Sequence, residues 1–286
     1  MTDASGGLRI LHLSDTHLFG DRTVHYGVVD TTAALRRVLR VAGELQAVDL
    51  VVASGDLSDD GSEASYRTLR ELLEPWAAAR GARVVYAMGN HDGAHGYRAV
   101  LGDPWRVLEA NGTRIVVLDS SVPGHGHGEL GDVQLERLRG ILAQRAPRGT
   151  VVVLHHPPTP ASSALLRALE LQHPERLLEV CAAGDVRAIL AGHYHHAFVA
   201  IEQGIPVIVA PGIANTTDPL VPAGRERAVT GSGFAVVDVP EHGMPRVAFV
   251  TAPSAGGDGA PADGAELFDL SPDEVDRIAE IAGPAR

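Results

Sequence analysis

Arg83-Val84-Val85-Tyr86-Ala87-Met88-Gly89-Asn90-His91-Asp92 joins a short, continuous, β-branched apolar run to a polar turn. The run predicts a buried strand. Gly89 lets the backbone turn sharply, and an amide, an imidazole and a carboxylate then emerge together at the strand's end. These are metal-binding and acid–base groups, a composition for chemistry rather than packing.

The pattern recurs along the chain. Asp15-Thr16-His17 follows the run Leu8 to Leu13, and Gly55-Asp56 follows Leu50 to Ala53. His155-His156-Pro157-Pro158 follows Val151 to Leu154, and Gly192-His193-Tyr194-His195 follows Val186 to Ala191. Between the first strands, Leu35, Val38, Leu39, Ala42 and Leu45 fall on one helical stripe, and so do Tyr66, Leu69 and Leu73 ahead of an expected break at Pro75. Strands alternating with helices predict an α/β fold. In such sheets ligands collect beyond the carboxyl ends of strands, so ligand sets scattered from Asp15 to His195 converge. A two-metal centre needs one bridging carboxylate, because an oxygen pair can bind two cations ~3.5–4 Å apart while one imidazole nitrogen cannot; Asp56 suits that place.

Further strands and helices are predicted at Thr113 to Leu118, Asp132 to Gln144, Ser163 to Leu171 and Glu175 to Ala183. Phe198 to Ile201, Pro206 to Val209, Phe234 to Val239 and Val247 to Thr251 read as short strands of an antiparallel second sheet or sheet edge. The expected organisation is one domain over residues 1–251, then over 252–286 a Gly/Ala/Pro-rich flexible linker (Ala252 to Gly264) and a short helix. That helix starts at a capping box of Ser271 and Glu274 with Pro272 in its first position.

The 286 residues, 45% hydrophobic, suffice for a substantial core. Cys181 is the single cysteine, so a metal here is held by His, Asp, Glu or Asn, which points to Mn, Fe or Zn. No lysine occurs, which excludes a P-loop and a Schiff-base lysine. A formal charge of −12 opposes nucleic-acid binding, whereas a small phosphodiester remains compatible because two bound cations reverse the local sign. No apolar run approaches a membrane span and Met1 to Gly7 lacks signal-peptide features, so a cytoplasmic protein is expected.

As a set, Asp15-x-His17, Gly55-Asp56, Gly89-Asn90-His91-Asp92, His155-His156-Pro157 and Gly192-His193-x-His195 resembles the five-block signature of the calcineurin-like metallophosphoesterases, over roughly Leu8 to Ala210. The stretches Ser14 to Leu18, Tyr26 to Asp30 and Ser121 to Glu129 look like the class III cyclic nucleotide phosphodiesterases, with the related glycerophosphodiesterases close behind. The resemblance implies a four-layer α/β/β/α sandwich with two mixed sheets, and two divalent or mixed-valence metal ions at one edge. Carried over residue by residue, Asp15, His17, Asp56 and His195 would hold one metal, and Asp56, Asn90, His155 and His193 the other. His91 would protonate the leaving group, and Asp92 would orient His91. Hydrolysis of 3',5'-cyclic nucleotides such as cyclic AMP by a hydroxide held between the metals is the expected activity, and a homodimer the expected assembly. Other small esters, such as glycerophosphodiesters and 2',3'-cyclic nucleotides, are the alternative substrates.

Among the remaining histidines, His12 reads as a core residue and His156 and His196 as groups that orient neighbouring imidazoles. His125 and His127 read as an exposed flexible loop, with a place at the border of the substrate pocket as the alternative, and His25, His95, His173 and His242 as surface.

Overall fold

The computed structural model describes residues 6–257 and 260–284. Most of the Met1 to Gly7 start, and Asp258 and Gly259 of the expected linker, lie outside the described residues. The first half of the chain runs β1 (Leu8–Leu13), α1 (Thr31–Ala42), β2 (Leu50–Ser54), α2 (Glu63–Ala78), β3 (Arg83–Ala87), α3 (Ala94–Val100), β4 (Arg106–Ala110), β5 (Thr113–Val117), α4 (Asp132–Leu142) and β6 (Thr150–Val153). The second half runs α5 (Ala164–Ala168), α6 (Pro174–Ala182), β7 (Val186–Ala191), β8 (Phe198–Glu202), β9 (Ile205–Val209), β10 (Thr216–Thr217), β11 (Glu226–Val229), β12 (Gly233–Val239), β13 (Arg246–Thr251), β14 (Ala255–Gly257), β15 (Ala260–Ala262), β16 (Glu266–Leu270) and α7 (Pro272–Ala282).

Two mixed sheets form, in the orders β13-β12-β1-β2-β3 and β4-β5-β6-β7-β9-β8. The alternation of side chains along each strand divides the core into three bodies. Leu11, Leu13, Val51 and Ala53 pack with Leu35, Val38 and Leu39 of α1 and Tyr66, Leu69 and Leu73 of α2. Val116, Val152, Ile189 and Val207 pack with Leu135 and Leu138 of α4 and Leu177 and Cys181 of α6. Leu8, Ile10, Leu50 and Val52 of the first sheet meet Ile115, Val117, Val151, Val153 and Leu190 of the second with no helix between. Helices, sheet, sheet, helices: this is the four-layer α/β/β/α sandwich.

Four details differ from the periodicity reading. First, of the two readings of the short strands the sheet edge holds and the separate sheet does not: β12 with β13, and β8 with β9, are antiparallel pairs at the edges of the two sheets. β9 lies parallel to β7 and β12 antiparallel to β1, because Val207 and Ile208, like Phe234 and Ala235, are buried on opposite faces and require neighbours on both. Second, α2 continues past Pro75 to Ala78; the carbonyl that loses its partner belongs to Glu71, on the exposed face, where water can take it. Third, β4 was not foreseen, and it pairs with β5 across an Asn111-Gly112 turn, both residues at positive φ, the geometry of a two-residue hairpin loop. Fourth, the Ala252 to Gly264 stretch contains the paired strands β14 and β15, and β16 after it joins β11 in a three-stranded sheet, β10-β11-β16. The capping box of α7 is present, with the Glu274 carboxylate accepting from the Ser271 N–H at 2.8 Å.

Candidate metal centre

The loops after β1 and β2 are stitched together by their backbones: the Asp15 N–H donates to Gly55 O at 3.0 Å, and the His17 N–H to Asp56 O at 2.9 Å. The loop after β7 is tied to the loop after β6 by the Gly192 N–H donating to His155 O at 3.0 Å. All five strand ends therefore meet at one edge of the sandwich. Close approach makes glycine necessary at Gly89, where an added Cβ would lie 2.2 Å from Asp56 Oδ1. At Gly55, φ is +103° and a Cβ would sit in the His155 ring.

Asp15, His17, Asp56 and His195 bring one ligand atom each to within 4.8 Å of one another. Beside them, His155 Nε2 lies 3.2 Å from Asp56 Oδ2 and 3.1 Å from Asn90 Oδ1, and the His193 ring stands 5.1 Å from the His155 ring. Asp56 belongs to both groups. The carboxylates of Asp15 and Asp56 are buried, and no arginine pairs with either among the described residues. Two buried carboxylates held by backbone N–H groups and imidazoles, with no arginine beside them among the described residues, make a site that favours a cation. Burial opposes charge on His155, yet the neighbouring Asp56 carboxylate raises that imidazole to about 9, a measure of the negative potential at the centre.

Each of the four imidazoles has one nitrogen engaged by a protein acceptor. His17 Nδ1 meets Asp59 Oδ1 at 2.8 Å, His155 Nδ1 meets Ser54 O at 2.9 Å, His193 Nε2 meets Leu169 O at 3.0 Å, and His195 Nδ1 meets Asn215 O at 3.3 Å. Such bonds fix the tautomer, so the other nitrogen presents a lone pair to the centre. His156 differs, since Ser120 Oγ and Gly126 O occupy both of its nitrogens, while its ring packs on that of His193 at 4.4 Å. His196 pairs with Thr217 Oγ1 at 2.8 Å, and His12 is a buried core residue on Ser54. Asp15, His17, Asp56, His193 and His195 all have positive φ, a strained backbone of the kind that collects at functional sites. The donor set, its tautomers and its buried charge fit two metal ions.

His91 and Asp92 separate. The His91 N–H donates to Asp56 Oδ1 at 2.9 Å, and its side chain, 46% exposed, projects from the centre. Asp92 does not orient it: its carboxylate folds back to accept from the Leu57, Ser58 and Gly89 N–H groups and from Tyr66 Oη–H, tying the loops after β2 and β3 together. The carboxylate that meets the His91 imidazole is Asp59, at 3.3 Å. Partial burial disfavours the charged imidazole, but Asp56 and Asp59 outweigh it and raise His91 to about 9. For Asp59, burial is opposed by hydrogen bonds from His17 and His91, which hold the carboxyl well below its ordinary range.

Asp59 and His25 are the site residues that sequence reasoning missed. His25, expected at the surface, is buried with its ring 4.8 Å from that of His17. The signal for Asp59 was its place three residues beyond Asp56 in the same polar loop. His127, expected in an exposed loop, is buried instead, and that loop is pinned by Gly126 N–H donating to Ala282 O at 2.8 Å.

A four-layer sandwich with a two-metal donor set at one sheet edge defines a class of metal-dependent phosphoester hydrolases. The chain belongs to the calcineurin-like phosphoesterase family, which it matches over residues 8–197. It is 44% identical over 231 residues to the cAMP/cGMP dual specificity phosphodiesterase MT0825 of Mycobacterium tuberculosis, covering 78% of this chain and 73% of that protein. It is 42% identical over 231 residues to a probable cyclic nucleotide phosphodiesterase of Rhodococcus erythropolis, covering 78% of this chain and 76% of the relative. Among solved structures, a dimetal phosphatase from Danio rerio shares the fold at a TM-score of 0.55 and 15% identity, over 84% of this chain and 98% of that one.

Proposed function

We propose that the protein is a dimetal phosphodiesterase that hydrolyses 3',5'-cyclic nucleotides. The observation that carries the reaction class is the shared, buried Asp56 between two imidazole-rich ligand groups, with His91 projecting from its edge. Similarity to relatives named as cyclic nucleotide phosphodiesterases supports the substrate. In this reading Asp15, His17, Asp56 and His195 hold one metal, and Asp56, Asn90, His155 and His193 the other. Manganese, iron and zinc all suit these oxygen and imidazole donors. Bound there, the two cations activate water near neutral pH and neutralise charge on the phosphoryl oxygens.

The chain's own groups do the rest. His91 donates its proton to the departing ribose oxygen, and Asp59 holds the imidazole ready by accepting at Nδ1. Asp92 acts as a strut for the backbone that carries Asn90 and His91. The substrate is a small diester rather than a nucleic acid, in keeping with a charge of −12 and no lysine. No helix among the described residues is long and apolar enough to cross a membrane. A cytoplasmic setting and a homodimeric assembly belong to the same proposal; Cys181 is free and buried, so the fold depends on no disulfide.

The test is a hydrolysis panel in manganese with cyclic AMP, cyclic GMP, 2',3'-cyclic AMP and glycerophosphocholine. Cyclic AMP and cyclic GMP are expected to be cleaved with modest selectivity. Cleavage of glycerophosphocholine with 3',5'-cyclic nucleotides untouched assigns the protein to the alternative ester class.

A further inference from the structure

Tyr26 has φ +50°, a left-handed backbone that a bulky side chain adopts only when its surroundings enforce it. The enforcement is visible: the His25 N–H donates to Val29 O, and the Val28 and Val29 N–H groups both donate to His25 O, at 2.9–3.0 Å. Burial does not repay the strain, because Tyr26 remains 54% exposed. The turn thus holds an aromatic ring outward at a fixed place. That place adjoins the metal centre, since the Tyr26 ring lies 4.3 Å from that of His25, which itself packs on His17.

On its other side Tyr26 meets Phe268 of β16, with centroids 5.2 Å apart and planes at 63°. In such an edge-to-face pair one ring presents its edge to the other's face, and Tyr26, with half its surface exposed, still offers aromatic surface to a further flat group. Phe268 stands opposite Ala228 in the ladder, and Leu270 opposite Glu226, so these four side chains share one face of the small sheet. Glu226 there is buried, and neither of its carboxylate oxygens has a hydrogen-bond partner among the described residues. Such a buried carboxyl calls for a hydrogen-bonding partner.

We propose that Tyr26 and Phe268 form the platform that receives the nucleobase of the substrate and set specificity for aromatic over base-free cyclic phosphates. This rests on the phosphodiesterase reading. Because every base offers a π face, the platform accepts adenine and guanine alike.

The test uses the manganese-loaded full chain with Tyr26→Leu, Tyr26→Phe and Phe268→Leu. Steady-state KM and kcat are measured on cyclic AMP and on the base-free ribose 3',5'-cyclic phosphate, with metal content determined for each protein. Tyr26→Leu is expected to raise KM for cyclic AMP about 10-fold, the scale of one base stacked on one ring, with little change in kcat. Phe268→Leu moves KM the same way, and Tyr26→Phe restores it. The base-free ester shows a high KM with every protein. A wild-type KM in Tyr26→Leu, an equal KM rise on both esters, or loss of metal from the leucine variants would overturn the platform. If the unmutated protein cleaves neither ester, the phosphodiesterase reading itself fails and the platform with it.

Discussion

Replacing Asp59 by asparagine probes the group that, on the proposed function, joins metal binding to acid catalysis. Its Oδ1 lies 2.8 Å from His17 Nδ1 and 3.3 Å from His91 Nδ1, so one oxygen serves a metal-type ligand and the proposed acid. Asparagine keeps an acceptor for His17 but loses the charge that favours a protonated His91. Removing a carboxylate behind a metal-binding imidazole typically costs ~10–100-fold in affinity or activity. A mis-set general acid costs part of the ~10²–10⁴-fold that acid–base catalysis supplies. Asp59→Asn should therefore lose about 10²-fold in kcat/KM on cyclic AMP while retaining most of its manganese. The pH profile gives a sharper readout. His91 must be protonated to act, so the rate falls as pH rises through its pKa, which Asp56 and Asp59 lift to about 9. Bound cations offset Asp56, and Asp59 is then the charge that sustains the lift. The alkaline limb of the profile should move to lower pH in Asp59→Asn. In a His91→Ala background the same substitution should add little further loss, because the pair acts as a unit. An unmoved alkaline limb, or full additivity with His91→Ala, would refute the coupling.

Three further outcomes are expected. Asp56→Ala should leave fewer than two metals per chain by elemental analysis, whereas Asn90→Ala mainly weakens one; two retained metals in Asp56→Ala would rule out a bridging role. His91→Ala should keep both metals and lose on the order of 10²–10⁴-fold on cyclic AMP, with a smaller loss on bis-p-nitrophenyl phosphate, whose leaving group departs without a proton. Equal losses on the two substrates would reduce His91 to a phosphate-positioning group. Burial raises the Glu226 carboxyl from 4.5 to about 7, so the folded state holds its proton above pH 4.5. The stability this confers is complete below pH 4.5 and is lost as pH rises through 7. Glu226→Gln should accordingly gain about 1–3 kcal/mol at pH 8.5 and nearly nothing at pH 4.5 in urea titrations; a pH-independent difference would contradict the buried-carboxyl account.

Short-range grammar was enough for much of this protein. A strand ending in a cluster of donors is a local statement, because side chains at a strand's end emerge where the backbone leaves the sheet. Five such statements, read with the rule that sheet ligands gather at carboxyl edges, named the donors that the fold brings together and made Asp56 the shared one. The helical stripes of α1 and α2 and the capping box of α7 were equally local, resting on side-chain spacing and on Ser271 and Glu274. What only the tertiary structure decided lies in contacts between loops. Asp59 reaches His17 and His91, and His25 turns inward, because the loops after β1 and β2 pair backbone to backbone, a register that no periodicity encodes. Asp92 is adjacent to His91 in sequence yet serves other partners, since three backbone N–H groups and Tyr66 draw its carboxylate back under the turn. β16 and its Phe268 join the face beside Tyr26 for the same reason: a short, half-polar strand carries little signal of its own and becomes a strand only when β11 offers it a free edge.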